Sequence, residues 1–571
     1  CTPTFVVPLG CRRAMVDDKN NSTNTPLLEV QQTSVGSLKD WRLFPPAIKF
    51  IFWNEFCERF SFYGLKAILA LFLSDRLGLS ELKSTEMLHL FTMACYGTPL
   101  LGAILSDAFL GKYRTILSLS LLYAVGNCVM SFAAIPALDP ETKRASNHAI
   151  LGTTTGLVLI AIGTGGIKPC AAAFGGDQIE FSMPNGHAKE RLQMLFFSVF
   201  CFAINVGAFL SMVLTPLVRT NVSYAVAFGM PALLMVLSVF IFWAGRGGYV
   251  DRRAVGSVFS SVGRVIIDAV RLRKHNTGFE PVNSTASLWL DSAKLKNSAD
   301  EVEDVKALLR VIVFLLPAPM FWCLFGQKAS VWVFQARQMN GQISWLGDLI
   351  IRPDQMQALD PLFVLIFIPL FSQVIYPFFE KHGNDLKPMK RMVLGMSLCS
   401  LSFFMSGLLQ LVIDKTATSG SIGSFSNLLP ESDPDNRTHH GSFNTTDAIG
   451  STTQLSILWQ VPQYIILTAA EVLFSVTGLE FAYSQAPVSM KSVVQAVWLL
   501  TTAAGDFITL LLVGVIGDKL SKANRSFLFA VGDIIATGFM MWASTSFKLR
   551  KNLSDEELRL ADSLESDSVA M

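Results

Sequence analysis

The sequence is poor in charged residues for its length. Only 16% of its 571 residues are Asp, Glu, Lys or Arg, whereas a typical soluble domain holds about a quarter. Hydrophobic residues make up 51% of the chain, and the net charge of +2 argues against a nucleic-acid partner. Such a composition indicates lipid as the solvent, and apolar runs long enough to span a bilayer recur throughout. The sequence therefore predicts an all-α polytopic membrane protein.

The sequence also lacks the patterns of a metal site, an enzyme or a disulfide-stapled domain. No Cys/His cluster has zinc spacing, and no nucleophile is paired with a base, so we expect no metal, no cofactor and no enzymatic activity. The sequence opens on Cys1 rather than Met, which leaves open whether its N-terminus is complete. Most of the nine cysteines lie in apolar runs and are expected to be small core residues: Cys57, Cys95, Cys128, Cys170, Cys201, Cys323 and Cys399.

Apolar run lengths and breaker residues predict twelve membrane-spanning helices in two bundles of six. The first six lie near 46–74, 85–108, 114–136, 149–175, 191–217 and 223–245. The second six lie near 307–330, 357–380, 389–413, 456–479, 491–516 and 524–547. The expected units are a disordered N-terminal tail (1–45), an N-terminal bundle (46–246), a linker (247–306), a C-terminal bundle (307–548) and a C-terminal tail (549–571).

The linker sets the expected orientation, because it holds the densest basic cluster of the chain and basic loops stay in the cytoplasm. With an even number of spans, both termini are then cytoplasmic. Within the linker, Arg253 to Arg273 has apolar residues at helical spacing and predicts an amphipathic helix along the membrane surface. The Ser-rich loop 414–455 then lies outside, where Asn436 and Asn444 are glycosylation acceptors.

Six spans, a basic linker and six more spans form the layout of the major facilitator superfamily, in which two bundles rock about a midplane site. Hydropathy alone identifies a polytopic membrane protein and does not distinguish a transporter, because a channel or a membrane enzyme would have a similar hydropathy profile.

The first predicted span carries charges that lipid does not tolerate. Glu55, Glu58 and Arg59 are three and four residues apart, which places them on one helix face, and Tyr63 extends that face by a turn. Charges at membrane depth face a protein interior or a water-filled cavity. Two acids for one base are expected to leave a carboxylate unpaired. This favours proton handling or binding of a charged solute over an ion pair that only fixes packing.

A histidine and a lysine at membrane depth add to this pattern. A lone buried imidazole is more often a hydrogen-bonded core residue, but we expect His89 to lie beside the acidic face of the first helix and to exchange protons. Lys168 follows a Gly-rich run that lacks the pattern of a phosphate-binding loop. It needs an anionic partner, either a substrate carboxylate or the acids of the first helix.

The loop after the second span holds a further group of charges. Asp107 precedes Lys112 and Arg114, and we expect these three residues to form a charge clasp on the cytoplasmic side.

The longest motifs resemble those of proton-coupled oligopeptide transporters. The resemblance covers most of the chain and is similar in pattern to the animal intestinal and renal peptide transporters. It implies import of dipeptides and tripeptides, driven by protons as co-substrate, through alternating access. The motifs are Asn54 to Gly64, His89 with Cys95-Tyr96, Leu157 through Asp177, and Phe474 through Ser492.

The same resemblance implies roles for individual residues. Glu471 would receive the peptide amino group, and Trp322 would form an aromatic wall. The proton-coupling set is Glu55, Glu58, Arg59, His89 and Lys168; the substrate-binding set is Arg59, Tyr63, Lys168, Asn205, Trp322, Asp360 and Glu471; the gating set is Asp107, Arg310 and Lys328.

Several positions depart from the family pattern, most of them in the second half. The large domain that animal members insert between the ninth and tenth spans is also reduced to a short loop. Phe62 and Cys201 replace tyrosines, Gly326 stands where an acid is common, Lys328 replaces a glutamine, Asp360 replaces an asparagine, and Ser372 replaces an acid thought to pair with the counterpart of Arg310.

Two alternatives to peptide import remain. One is a carrier of other small anions or zwitterions, such as nitrate, histidine or peptide-like metabolites, and Glu471 favours a substrate with an amino group over nitrate. The other is a transceptor, for which no docking module is visible. We expect the protein to function as a monomer. We also expect it in the plasma membrane rather than in a lysosomal or endosomal membrane, because the tails carry no acidic dileucine signal.

Overall fold

A computed structural model describes residues 44–135, 147–182, 187–251, 258–275, 288–347, 349–383, 386–425, 453–487 and 490–547. Helices dominate these residues. Asn436 and Asn444, the predicted glycosylation acceptors, lie outside the described residues.

The first half of the chain forms seven helices. The second predicted span is divided by Pro99 into α2 and α3, since proline cannot donate the backbone hydrogen bond that a continuous helix requires. The helices are α1 (Pro46–Asp75), α2 (Glu81–Gly97), α3 (Pro99–Leu105), which continues as a π turn (Ser106–Leu110), α4 (Lys112–Ala133), α5 (Asn147–Ser182), α6 (His187–Asn221) and α7 (Tyr224–Ala244), which ends in a 3-10 turn (Gly245–Gly248).

The connecting segment contains α8 (Val258–His275), α9 (Leu288–Asp291) and a 3-10 turn (Ser292–Leu295). The predicted amphipathic helix is therefore observed from Val258 onward. Its residues Val265 and Ala269 are buried in the core of the second half, and Arg264 pairs at 3.4 Å with Glu301 of the helix Ala299–Phe314. Part of the apolar face that we expected to meet lipid thus packs on protein, while Val270 is exposed.

The second half contains more helix breaks than the first. The first span of this half is bent by 49° at residues 315–317, a break that contains Pro317. Its elements are α10 (Ala299–Phe314), α11 (Ala318–Gly326), a 3-10 turn (Gln327–Ala329), α12 (Val331–Ala336), β1 (Gln342–Ile343), a 3-10 turn (Ser344–Leu346), β2 (Leu349–Ile350), a 3-10 turn (Pro353–Ala358), α13 (Leu359–Leu370), a π turn (Phe371–Ile375), α14 (Tyr376–Lys381), α15 (Pro388–Phe425), a 3-10 turn (Ile457–Gln460), α16 (Val461–Glu471), a π turn (Val472–Val476), α17 (Thr477–Gln485), α18 (Lys491–Ile516) and α19 (Lys522–Ser546).

Several of the predicted boundaries are wrong, among them the start of the seventh span, which lies at Ala299 instead of 307. The span predicted to end at 330 continues as a broken helix to Ala336, and α15 continues to Phe425, well into the predicted loop 414–455. The antiparallel pairing of β1 with β2 was also not expected from the sequence.

Length and composition identify ten membrane-spanning helices among the described residues, or eleven if the bent pair α10–α12 is one span. The helix α1 is not among them, although its 30 residues are enough to cross a bilayer. Each of its 18-residue windows contains more than the two charges that this count permits. If the bent pair counts as one span and α1 is added, the total is the predicted twelve. The count of twelve therefore stays a prediction.

Buried residues form two large apolar cores. One core is built mainly from α1 to α7, and the other mainly from α8 to α19. We call the parts of the chain around them the first half and the second half. The residue limits of the predicted domains remain a prediction.

Ion pairs join the two halves at the end of the molecule where α1 and α6 finish. Arg219 forms a two-pronged pair with Asp354, with atom separations of 2.8 and 3.1 Å. Arg337 lies 2.7 Å from Asp75, and Lys522 pairs with a glutamate at the start of α2 at 2.7 Å. These ion pairs therefore hold the two halves together at the end of the molecule that lies opposite the start of α1.

Candidate functional site

The charges of α1 form one buried cluster. Arg59 Nε lies 2.8 Å from Glu55 Oε1 and 2.6 Å from Glu58 Oε2, and all three side chains are almost fully buried. Thr164 of α5 donates a hydrogen bond to Glu58 Oε1 at 2.9 Å. The expectation of an unpaired carboxylate is therefore wrong, because one guanidinium is paired with both acids. Even so, Glu55 Oε2 and Arg59 Nη1 form no hydrogen bond with another described residue.

Lys168 lies on aromatic rings rather than on carboxylates. Its ammonium is 3.6 Å from the centre of the Tyr96 ring and 4.6 Å from that of Phe62, and no hydrogen bond from Nζ to another described residue is present. A cation over an aromatic face is stabilised by the ring quadrupole. The structure thus places Lys168 near enough to Glu55 and Glu58 to interact with them electrostatically, but not in an ion pair with either.

Glycines set the position of Lys168. Gly102 of α3 and Gly166 of α5 are in such close approach that a Cβ atom on Gly102 would overlap the backbone of Gly166. Small residues permit this close contact between membrane helices. The Gly-rich run therefore brings α5 against α3 and holds the buried lysine next to Tyr96.

The predicted substrate-binding residues of both halves are buried. In the first half, the side-chain amide of Asn205 donates to the Cys201 carbonyl at 2.9 Å, and Tyr63 is largely buried on α1. In the second half, Glu471 is the last residue of α16 and is followed by a π turn, a distortion that often occurs at functional sites.

Trp322 belongs to an aromatic cluster on the second-half side. Its ring centre lies 6.1 Å from that of Trp498, edge to face, and 6.3 Å from that of Phe474. Sequence reasoning missed Trp498, because α18 carries no family motif that we had assigned to the pocket. Trp322, Phe474 and Trp498 therefore form one aromatic cluster, and the role of Trp322 as a wall of the pocket stays a prediction.

Two of the unusual residues of the second half are partners. Lys328 Nζ lies 2.5 Å from Asp360 Oδ2, and both side chains are buried. Thr468 of α16 donates a hydrogen bond to Asp360 Oδ1 at 3.1 Å. The two departures from the family pattern therefore compensate each other in charge.

His89 does not lie against the acids of α1, as we had expected. Its Nδ1 is 2.6 Å from Asp506 Oδ1 of α18, and its Nε2 is 3.3 Å from Ser330 Oγ. Sequence reasoning missed Asp506, although an aspartate within an apolar run was a signal that could have been used.

In the predicted charge clasp, Lys112 pairs with a different acid from the expected one. Lys112 pairs with Asp177 of α5 at 2.5 Å, while Asp107 lies in the π turn after α3. Arg310 is exposed on α10, and Ser372 donates only to the backbone of its own segment, at 3.2 Å from the Pro369 carbonyl. Among the described residues, no group of three or more His, Cys, Asp or Glu is arranged to hold a metal ion.

Comparison with known proteins decides the family. The sequence pattern of the POT family (PTR2) matches residues 113–527, which is more than half of the chain. The chain belongs to the POT family. As a POT member it is a transporter of the facilitator fold, not an enzyme.

Relatives of this POT protein align over most of its length. Peptide transporter family 1 of Drosophila melanogaster is 32% identical, with 90% of this chain and 89% of the relative covered. Human solute carrier family 15 member 2 is 34% identical, with 82% and 85% covered. The crystal structure of the POT family transporter PepTSo is 31% identical, with a TM-score of 0.72 and coverage of 88% of this chain and 98% of that one.

Proposed function

We propose that this protein is a proton-coupled symporter that imports dipeptides and tripeptides by alternating access of its two halves. The observation that carries the proposal is the distribution of buried charge. Arg59 and Lys168 are cations of the first half, and Glu471 is an acid of the second half. A zwitterionic peptide has opposite charges at its two ends, so groups of opposite sign on two walls recognise what all such peptides share.

The substrate-binding proposal assigns each wall to one end of the peptide. Arg59 and Lys168 bind the carboxylate, assisted by Tyr63 and Asn205, while Glu471 binds the ammonium. The Lys168 ammonium supports this role, because ring faces stabilise it without neutralising its charge. A substrate carboxylate would supply the anion that it lacks among the described residues.

On the substrate side of the second half, the aromatic cluster around Trp322 would accept side chains of varied size, because apolar packing imposes little directional demand. Asp360 is a weaker candidate than Glu471 for binding the peptide ammonium, because Lys328 already neutralises the Asp360 carboxylate. We therefore assign Lys328 and Asp360 to gating.

The proton-coupling proposal rests on Glu55, Glu58, Arg59, Lys168 and His89. In the α1 cluster one guanidinium is shared by two carboxylates. Proton uptake by one acid would release Arg59 toward the substrate, so that proton and peptide binding support each other. No cofactor is needed, because the proton is a co-substrate.

The proposed orientation places both termini in the cytoplasm and the ion pairs around Arg219 and Asp354 on the outside. Fastening the halves there closes the outer side, as alternating access requires in one of its states. We further propose that the protein acts as a monomer in the plasma membrane.

The deciding experiment is uptake by reconstituted protein. Proteoliposomes should accumulate a labelled dipeptide when the proton gradient is directed inward and only equilibrate it without a gradient. Nitrate and free histidine serve as competitors. If either competes while dipeptides of varied side chains do not, the proposal is wrong in favour of another small-solute carrier.

A further inference from the structure

His89 is bound to the opposite half of the protein through both ring nitrogens. It belongs to α2 of the first half, whereas Asp506 and Ser330 belong to the second half. The imidazole is fully buried, and the Asp506 side chain is 2% exposed. This contact thus crosses the plane along which the two halves would have to separate.

The space next to Gly326 explains why the acid that contacts His89 lies on α18. Gly326 of α11 stands where an acid is common in the family pattern. A Cβ atom on Gly326 would lie 3.1 Å from His89 Cε1 and 3.2 Å from Asp506 Oδ1. The carboxylate of Asp506 therefore occupies the space into which a side chain at 326 would project. The same imidazole is reached by an acid from a neighbouring helix.

We propose that Asp506 is the carboxylate that shares a proton with His89, and that it has taken over in this chain the place of an acid at position 326. The proposal rests on the proposed proton-coupled function. The proton enters from water, resides on the His89–Asp506 pair, and leaves to water on the other side, and no other bond forms or breaks.

The charge balance explains how this pair responds to protons. When the imidazole is protonated, it forms a charge-assisted bond with the carboxylate, and such bonds are stronger than neutral ones. When the proton leaves, a buried carboxylate charge remains, which is costly at membrane depth. The link between the halves is therefore strong with the proton bound and weak without it.

Other groups near Asp506 modulate this balance. The titratable side chains that interact with it electrostatically are Lys66 on α1, Cys95 and Tyr96 on α2, and Cys323 on α11. Among these, Lys66 is the only lysine or arginine, so it partly compensates the carboxylate when His89 is neutral. Asp506 Oδ2, which forms no hydrogen bond with a described residue, is open to such a second interaction.

The test compares three variants in proteoliposomes: Asp506→Asn, the double variant Gly326→Asp with Asp506→Asn, and Asp533→Asn as a matched control. Asp533 is also a buried aspartate of the second half, but it accepts a hydrogen bond from Ser400 of the same half at 2.7 Å. Gradient-driven accumulation, its pH profile and counterflow exchange are measured for each.

In Asp506→Asn, we expect gradient-driven accumulation to be strongly reduced but measurable, with counterflow exchange retained. The midpoint of the pH profile should move to more acidic pH, because the protonated imidazole loses its charge-assisted bond to the carboxylate. The double variant returns an acid to the imidazole from α11, so its accumulation and midpoint should return toward those of the wild type. Asp533→Asn should keep the wild-type midpoint.

An unchanged pH profile and normal accumulation in Asp506→Asn would overturn the proposal, and so would an equal shift in Asp533→Asn. If Asp506→Asn fails to insert in the membrane, the double variant decides alone, because it retains one carboxylate beside His89. Uncoupled exchange in that variant would contradict the inference. Absence of proton-driven uptake by the wild type would instead refute the proposed function, so the two failures are distinguishable.

Discussion

The two halves hold their buried charges in different ways. In the first half the charges are concentrated, with Glu55, Glu58 and Arg59 on one helix and in mutual contact. In the second half they are distributed over several elements, and the Lys328–Asp360 pair joins the turn before α12 to α13.

The difference follows the departures from the family pattern. The cluster of the first half matches the pattern residue for residue, whereas the second half has lost an acid at Gly326 and gained Lys328 and Asp360. In a compact cluster in which one cation is shared by two acids, a change of any member alters the charge balance of the other two. In a dispersed set, both residues of one ion pair can be replaced together, and the total buried charge stays balanced.

The largest effect is expected from the first-half cluster. Glu55→Gln or Glu58→Gln should remove gradient-driven dipeptide accumulation while sparing counterflow exchange, which needs no net proton movement. Each substitution removes an acid that can take up a proton while Arg59 stays paired with the other acid, so accumulation should fall toward the level reached without a proton gradient. The control is Glu86→Gln, whose partner Lys83 is exposed. Normal accumulation in both cluster variants would remove the contrast between the halves.

Glu471→Gln should have the next largest effect, on affinity rather than coupling. Loss of a charge-assisted hydrogen bond to the peptide ammonium costs roughly 1.5–3 kcal/mol, which is about ten- to a hundredfold in Kd. Competition measurements with free and N-acetylated dipeptides separate the contributions. The acetylated peptide should lose little, and an equal loss for both peptides would show that Glu471 does not bind the amino group.

Substitutions in the Lys328–Asp360 pair should have a smaller effect on transport, and only when one of the two residues is replaced alone. Lys328→Gln or Asp360→Asn alone leaves a buried charge and should slow turnover of all substrates with nearly unchanged affinity. The double variant, which restores the usual family residues, should recover turnover, with a coupling of about 0.5–3 kcal/mol. Steady-state uptake kinetics give both parameters. Additive losses in the double variant would show that the two residues act separately.

Phe62→Tyr should have the smallest effect. The Lys168 ammonium contacts the ring face, which tyrosine retains, so KM for a dipeptide should change by less than about threefold. Phe62→Leu removes the face and should raise KM more, because a cation–π contact is worth about 0.5–2 kcal/mol. A gain of tenfold or more in affinity from Phe62→Tyr would instead show that the missing hydroxyl limits binding.

Much of the fold is encoded locally and could therefore be predicted. Lipid requires about 20 apolar residues for each spanning helix, so most helices were located from run length alone. The pairing of Glu55 with Arg59 was equally accessible, since residues four apart lie on one helix face whatever surrounds the helix. The end of α12 was missed, because its polar Gln335 is buried against a neighbouring helix, whereas α15 continues through exposed residues at 414–416, which burial does not explain.

Only the tertiary structure decided which distant charges meet. His89 and Asp506 are 417 residues apart, and periodicity within one helix does not state which face of another helix it will meet. For the same reason Lys112 was assigned to Asp107 instead of Asp177, and Lys168 to carboxylates instead of the Tyr96 ring. The sequence by itself determined that costly charges lie within the membrane, and packing between helices determined how each of them is compensated.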